Sequence, residues 1–438
     1  VTRGLSRRAA LLLPLAAAGC DEFFGTEKAP LPGTRIPVMA PGRGLAIDNP
    51  PGRPVVLPPP APNDAWPQAG GTAGHVMENP AAATVLHIAW SAEIGEGGGY
   101  REAITARPVI ANRRVFTMDS DAVVCAFGTI NGTRLWRTPT RAKKNRSTNV
   151  GGGLGLDGDT LYVTTGRGDA LALDPASGKI RWRVDLGNPA RTAPTIAEGR
   201  LFVALIDGTL QALSTDNGTV LWSYQGGTPD TGVLGLPAPA YSEGILVAGF
   251  GSGDLVALHA TSGGVAWSDN LASSAGRNSM VDLPAIRAMP VIDRAEVFAV
   301  GLGGLMLCLD LRSGRRLWER EIAASNTPWL AGDWLFVIST DQKMAALNRA
   351  DGAVAWVRQL PHYENEKKQT GPISWLGPVL VSDRLVAVGS VPSAVAISPY
   401  TGLPLGIQRL PGAGALDPVV ADGTLFIVLD DATLLALR

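Results

Sequence analysis

The sequence predicts an all-β fold, an eight-bladed β-propeller of four-stranded antiparallel blades. Three observations carry this: a composition suited to short strands and tight turns, a glycine–tryptophan marker that recurs along the chain, and two ends that each lack what the other supplies. Of 438 residues, 18% are charged and 6% aromatic, with 53 Gly and 33 Pro. That mix suits many turns and leaves little room for long helices.

The marker is Gly-x-x-x-Trp. It occurs at Gly132/Trp136, Gly178/Trp182, Gly218/Trp222, Gly263/Trp267, Gly314/Trp318 and Gly352/Trp356, and a seventh copy has Gly402 with Gly406 in the tryptophan slot. Ten residues before each slot stands a small residue (Ala126, Ala172, Ala212, Ala257, Cys308, Ala346, Ala396), followed by an apolar one. Turn formers such as Asp174-Pro175-Ala176-Ser177-Gly178 lie between, so each unit ends in a hairpin. Upstream, segments such as Arg200–Leu205 and Gly208–Leu213 read as two more strands, and Pro108, Pro194, Pro239, Pro290, Pro328 and Pro378 open units 28 residues ahead of the slot. Four strands per unit of roughly 40 to 50 residues is the pattern of a propeller blade.

Each tryptophan (Trp90, Trp136, Trp182, Trp222, Trp267, Trp318, Trp356) is expected in the gap between blades, its indole N–H meeting a backbone carbonyl. The last unit, from Pro418 to Arg438, lacks a fourth strand, and Thr84–Trp90 is a fourth strand without its first three. Pairing them closes the ring and hides two strand edges.

The N-terminus reads as an export signal, residues 1–19: basic Arg3, Arg7 and Arg8, an apolar run from Ala9 to Ala18 too short to span a bilayer, then small residues. Ala17-Ala18-Gly19-Cys20 resembles a lipobox, which implies acylation of Cys20 and attachment to the membrane through lipid. Residues 20–63, rich in Pro and Gly, read as a mobile tether, and 64–438 as the propeller. Asp21 leaves the choice between inner and outer membrane open.

Most chemistries find no support. The formal net charge of -1 gives no basic field for nucleic acid. His75, His87, His259 and His362 show no metal-ligand spacing. Gly153-x-Gly155-x-x-Gly158 is followed by a strand, Thr160–Val163, where a dinucleotide site needs a helix. Cys125 and Cys308 fall in strands four blades apart, so buried thiols are expected in place of a disulfide. No catalytic residue, cofactor or metal ligand is assigned.

The repeat, fullest in Ala172-Leu173-Asp174 to Gly178 and Trp182, resembles the pyrroloquinoline-quinone-type propeller repeat of quinone-dependent dehydrogenases. Those enzymes carry adjacent cysteines, calcium-binding acids and insertions that this chain lacks. Over its whole length, lipobox, tether and repeats, the chain is similar to the BamB family, lipoproteins of the outer-membrane β-barrel assembly complex. That resemblance implies a non-enzymatic scaffold on the periplasmic side of the outer membrane. It would hold the POTRA domains of the barrel-assembly protein BamA, and unfolded outer-membrane proteins as a further partner. Alternatives are a quinone-dependent enzyme and a ligand-sensing propeller.

Connections from one blade to the next vary in length while blades do not: 137–153, 223–238, 268–289 and 357–377 are long, 183–193, 319–327 and 407–417 short. All emerge on one face of the disk, which marks it as the working surface. Two long neighbours offer Val233, Leu234 and Leu236, then Arg277, Met280, Asp282, Leu283 and Arg287, as candidate partner contacts. In the family these connections carry the BamA-binding residues, but Leu234, Ala285 and Arg287 depart from its charge pattern. Arg141–Arg146 is a basic loop on the same face.

Overall fold

The computed structural model describes residues 44–48, 53–99, 103–142, 147–227, 237–271 and 285–438. Eight four-stranded antiparallel sheets form the ring. Blades 1 to 7 span 109–139, 152–185, 195–225, 240–270, 291–320, 329–359 and 375–409, each with its strands in chain order from the channel outward. Blade 8 joins 419–437 to the strand Ile88–Glu93, which pairs antiparallel with Thr433–Leu437, so the two ends close the ring as expected.

The sequence periodicity has a direct packing cause. In every blade but the seventh, where Ala396 faces Gly406, the small residue is the cross-strand partner of the tryptophan: Ala126 faces Trp136, Ala172 faces Trp182, Cys308 faces Trp318, and in blade 8 Ala436 faces Trp90. On the small residue's other side sits an aromatic ring in most blades, as Phe116 opposite Ala126 and Phe298 opposite Cys308. The tryptophan reaches across the small side chain to that ring, with centroids 5.9 Å apart for Phe116–Trp136 and 6.1 Å for Phe298–Trp318. A larger residue between them would block the contact.

Each tryptophan then crosses to the next blade. All seven indole N–H groups donate to a carbonyl in the following blade's outer hairpin, Trp90 to Thr129, Trp136 to Pro175, Trp182 to Thr215 and so on to Trp356 and Pro399, at 2.7–3.1 Å. The ring lies on that hairpin's glycine. At Gly314, with φ +69°, a Cβ would stand 2.6 Å from Cγ of Trp267. Glycine and tryptophan of one marker therefore serve different interfaces: the glycine receives the preceding blade's ring, the tryptophan staples to the following blade.

The segment ahead of the repeats does more than the sequence foretells. From Asn63 to Pro80 it makes a full circuit of the channel, bonding in turn to every blade within the inner strand or just past its end. Asp422 N–H donates to Asn63 in blade 8, Trp66 exchanges two backbone bonds with Ile110 in blade 1, and Leu156 N–H donates to Pro67 in blade 2. The Gln68 side chain pairs with both N–H and C=O of Ile196 in blade 3, at 2.9 and 3.0 Å. Tyr241 and Ile292 donate to Ala73 and Gly74, Gly332 to the Glu78 carboxylate, and Ser382 to Pro80. These bonds fall toward the far end of the inner strands, so the segment plugs that end of the channel.

Of the tether expected over 20–63, the described residues 44–48 and 53–63 include several that are held against the propeller. Asp48 binds Arg320 at 2.8 Å and accepts from Val354 N–H at 2.7 Å, Val55 is buried against blades 6 and 7, and Pro58 accepts from Asn79. The prolines and glycines that suggest mobility in the sequence instead form an extended strap held through backbone groups. The long connection 357–377 contains a small hairpin, Tyr363–Asn365 with Thr370–Pro372, that apolar periodicity does not reveal.

Candidate functional site at the connection-bearing face

Each inner strand starts at the end of the channel opposite the plug, so the interblade connections also arrive there. Of the candidate partner residues, Val233, Leu234, Leu236, Arg277, Met280, Asp282 and Leu283 lie outside the described residues, as does Cys20. Arg287 is described, exposed, and lines the channel mouth. Its neighbours Ala285 and Ile286 turn inward and are buried, with Leu302 N–H donating to Ala285 and Ile286 N–H to Phe250. Within the basic loop, Arg141 pairs with Asp121 at 2.5 Å, and residues 143–146 lie outside the described set. Asp121 also takes the Arg167 guanidinium, whose side chain is almost fully covered, so this part of the loop is tied down by structure.

Sequence reasoning misses the channel mouth as a site. A cavity of about 520 Å³ is lined there by the residues leading into all eight inner strands, among them Arg107, Arg191, Arg287 and Asp417. A signal for it exists: Arg191 and Arg287 each stand three residues ahead of an opening proline, Pro194 and Pro290, where strand geometry turns both toward the axis.

The other titratable groups serve the fold. Cys125 and Cys308 are buried and unpaired, in blades 1 and 5, and burial pushes the Cys125 thiol up to about 11 and Cys308 upward as well. Neither is poised as a nucleophile. His75 Nδ1 lies 2.7 Å from the Pro290 carbonyl, and burial brings its pKa down to about 4, so it is neutral with the proton on Nδ1. Among the described residues no group of His, Cys, Asp or Glu could hold a metal ion.

A second surface lies at the edge of blade 7. Its outer strand, Pro404–Arg409, is exposed throughout, with Ile407 71% exposed, and Gly406 stands where the other blades place a ring. An apolar groove of about 430 Å³, lined by Leu405, Ile407, Leu425, Ile427 and Leu437, separates blades 7 and 8.

On that frame the similarities are specific. The family model described as outer membrane protein assembly factor BamB matches residues 120–358, more than half of the chain. The chain belongs to the BamB family. The matched span runs from blade 1 into blade 6. Among BamB relatives, the outer membrane protein assembly factor of Yersinia pestis is 27% identical over 300 residues, covering 67% of this chain and 75% of its own. That of Escherichia coli (strain K12) is 25% identical over 351 residues, covering 79% and 87%. The crystal structure of BamB from Moraxella catarrhalis aligns with TM-score 0.69 at 19% identity, covering 81% of this chain and all of that one. A quinohemoprotein alcohol dehydrogenase from Comamonas testosteroni aligns with TM-score 0.64 at 13% identity, covering 86% of this chain and 81% of that one, a likeness of fold alone.

Proposed function

We propose that this chain is a non-enzymatic scaffold that assists the assembly of outer-membrane β-barrel proteins. The observation that carries the reading is the BamB family match across six consecutive blades. A closed propeller suits such a role, because inter-blade staples and an encircling plug give a stiff disk, and stiffness lets loops on one face present a fixed surface to a partner. Cys20 is the lipid attachment point in this proposal, and residues 21–43 give reach from the periplasmic side of the outer membrane. The partner is the barrel-assembly protein, held through its periplasmic POTRA domains by the connections 228–236 and 272–284. Exposed blade edges such as 404–409 suit transient β-pairing with an unfolded client.

Co-purification tests this with the full-length chain and a variant whose segments 228–236 and 272–284 are each replaced by a short Gly-Ser linker. Recovery of the barrel-assembly protein is expected to fall while circular dichroism stays that of the parent. Undiminished recovery refutes the assignment of those connections. Absence of the assembly protein from the parent's own preparation refutes the scaffold reading.

A further inference from the structure

The channel is a blind well. Its floor is the turn formed by Gln68 and Gly71, with Ala69 facing the cavity, and its mouth opens among the interblade connections. About 520 Å³ is room for a small organic molecule.

The charges around it do not balance. Among the described lining residues three guanidinium groups, Arg107, Arg191 and Arg287, meet one carboxylate, Asp417. Arg107 takes that carboxylate in an ion pair. Arg191 is half-buried, donates from Nη1 to the Val150 carbonyl at 2.6 Å, and has no carboxylate partner among the described residues. Burial lowers its pKa, the mark of a cation held away from water without an opposite charge. Arg287 makes no hydrogen bond or ion pair to a described residue.

The backbone makes room for this. At Gly151, with φ +118°, a Cβ would stand 2.6 Å from the Ala190 carbonyl oxygen and 3.2 Å from Cδ of Arg191. The glycine keeps the path of the Arg191 side chain clear. A cation in a partly desolvated wall costs stability unless something answers its charge, and a planar guanidinium answers best to the paired oxygens of a carboxylate or phosphate.

We propose that the well binds a small organic polyanion bearing carboxylate or phosphate groups, held by Arg191 and Arg287 above the Arg107–Asp417 pair. The inference rests on the channel geometry and is independent of the scaffold reading.

Isothermal titration of the full chain with citrate, and separately with inorganic phosphate, in chloride buffers of matched ionic strength tests it. The citrate and phosphate arms distinguish the carboxylate from the phosphate source. Saturable binding of at least one is expected. Arg191→Gln and Arg287→Gln should each weaken it by about 10- to 100-fold, the scale of one lost charge-assisted hydrogen bond. Arg315→Gln, in an exposed outer turn of blade 5, should leave it unchanged. Arg287→Gln alters an exposed side chain, so it separates loss of the site from loss of the fold. Binding to neither probe, or binding that survives the double variant, overturns the proposal.

Discussion

The two halves of the repeat marker act at different interfaces, and a double-mutant cycle at Trp267 and Gly314 measures how strongly they depend on each other. Trp267 is 8% exposed and donates its indole N–H to Leu311 at 2.7 Å. Trp267→Ala removes a buried ring and leaves a cavity, a loss of about 3 to 5 kcal/mol. Gly314→Ala has two parts. The left-handed backbone at φ +69° costs alanine about 1 to 2 kcal/mol. The new methyl, 2.6 Å from Cγ of Trp267, also forces the ring aside, which adds about 1 to 3 kcal/mol of overpacking. Once the ring is gone only the backbone part survives. The double variant should therefore be more stable than the sum of singles predicts by about 1 to 3 kcal/mol, the steric part alone. Urea unfolding followed by far-ultraviolet circular dichroism and by fluorescence gives the free energies, and coincidence of the two transitions licenses a two-state treatment. Additivity within about 0.5 kcal/mol would show that the glycine answers to its own turn and not to the neighbouring ring.

Two further outcomes follow from the plug. The pKa of His75 falls from 6.5 to about 4 on folding, so the unfolded chain binds the proton more tightly. The stability from keeping it neutral is fully present above pH 6.5 and is lost as pH drops toward 4, by about 3 kcal/mol over that window; His75→Gln should flatten this part of a denaturation-versus-pH curve. Gln68→Ala strips both backbone groups of Ile196 of their partner, which should cost about 2 to 4 kcal/mol in urea titrations and raise hydrogen exchange at Ile196.

Legibility in the sequence tracks repetition. Blade number, strand order and the indole-to-carbonyl staples are readable because each requirement recurs: a small residue must face each tryptophan, and a left-handed glycine must receive each ring. The plug is not readable. Its residues 63–80 meet eight different blades, each through a different residue and a different kind of bond, so no position imposes a periodic demand, and the run Gln68-Ala69-Gly70-Gly71 looks like a loop. The strap around Asp48 escapes for the same reason, since its hold depends on Arg320, far along the chain in blade 5. The channel arginines sit in view, spaced identically ahead of two prolines, but only the ring geometry brings them to one axis.

The departure at Gly406 also has a structural cause, and it yields a last prediction. A staple needs a receiving hairpin in the next blade, and blade 8 has none: its two outer strands come from opposite ends of the chain and end at Arg438 and His87, which exchange backbone bonds. A tryptophan at 406 would have no glycine to lie on and no turn carbonyl to meet. The junction is instead held from blade 7 by Arg384, which donates to the carbonyls of Ala83 and Thr84, and by Ser382, whose hydroxyl donates to Ala82. A guanidinium here does the bonding that an indole does elsewhere. Arg384→Ala should thus cost about 1.5 to 3 kcal/mol, the scale of hydrogen bonds to a charged group. Its effect should concentrate at the closing strand, so hydrogen exchange of Ile88–Glu93 should accelerate more than that of the outer strand Val265–Asn270. Equal acceleration at both strands would mean that closure rests on the Ile88–Leu437 ladder alone and that Arg384 is a surface contact.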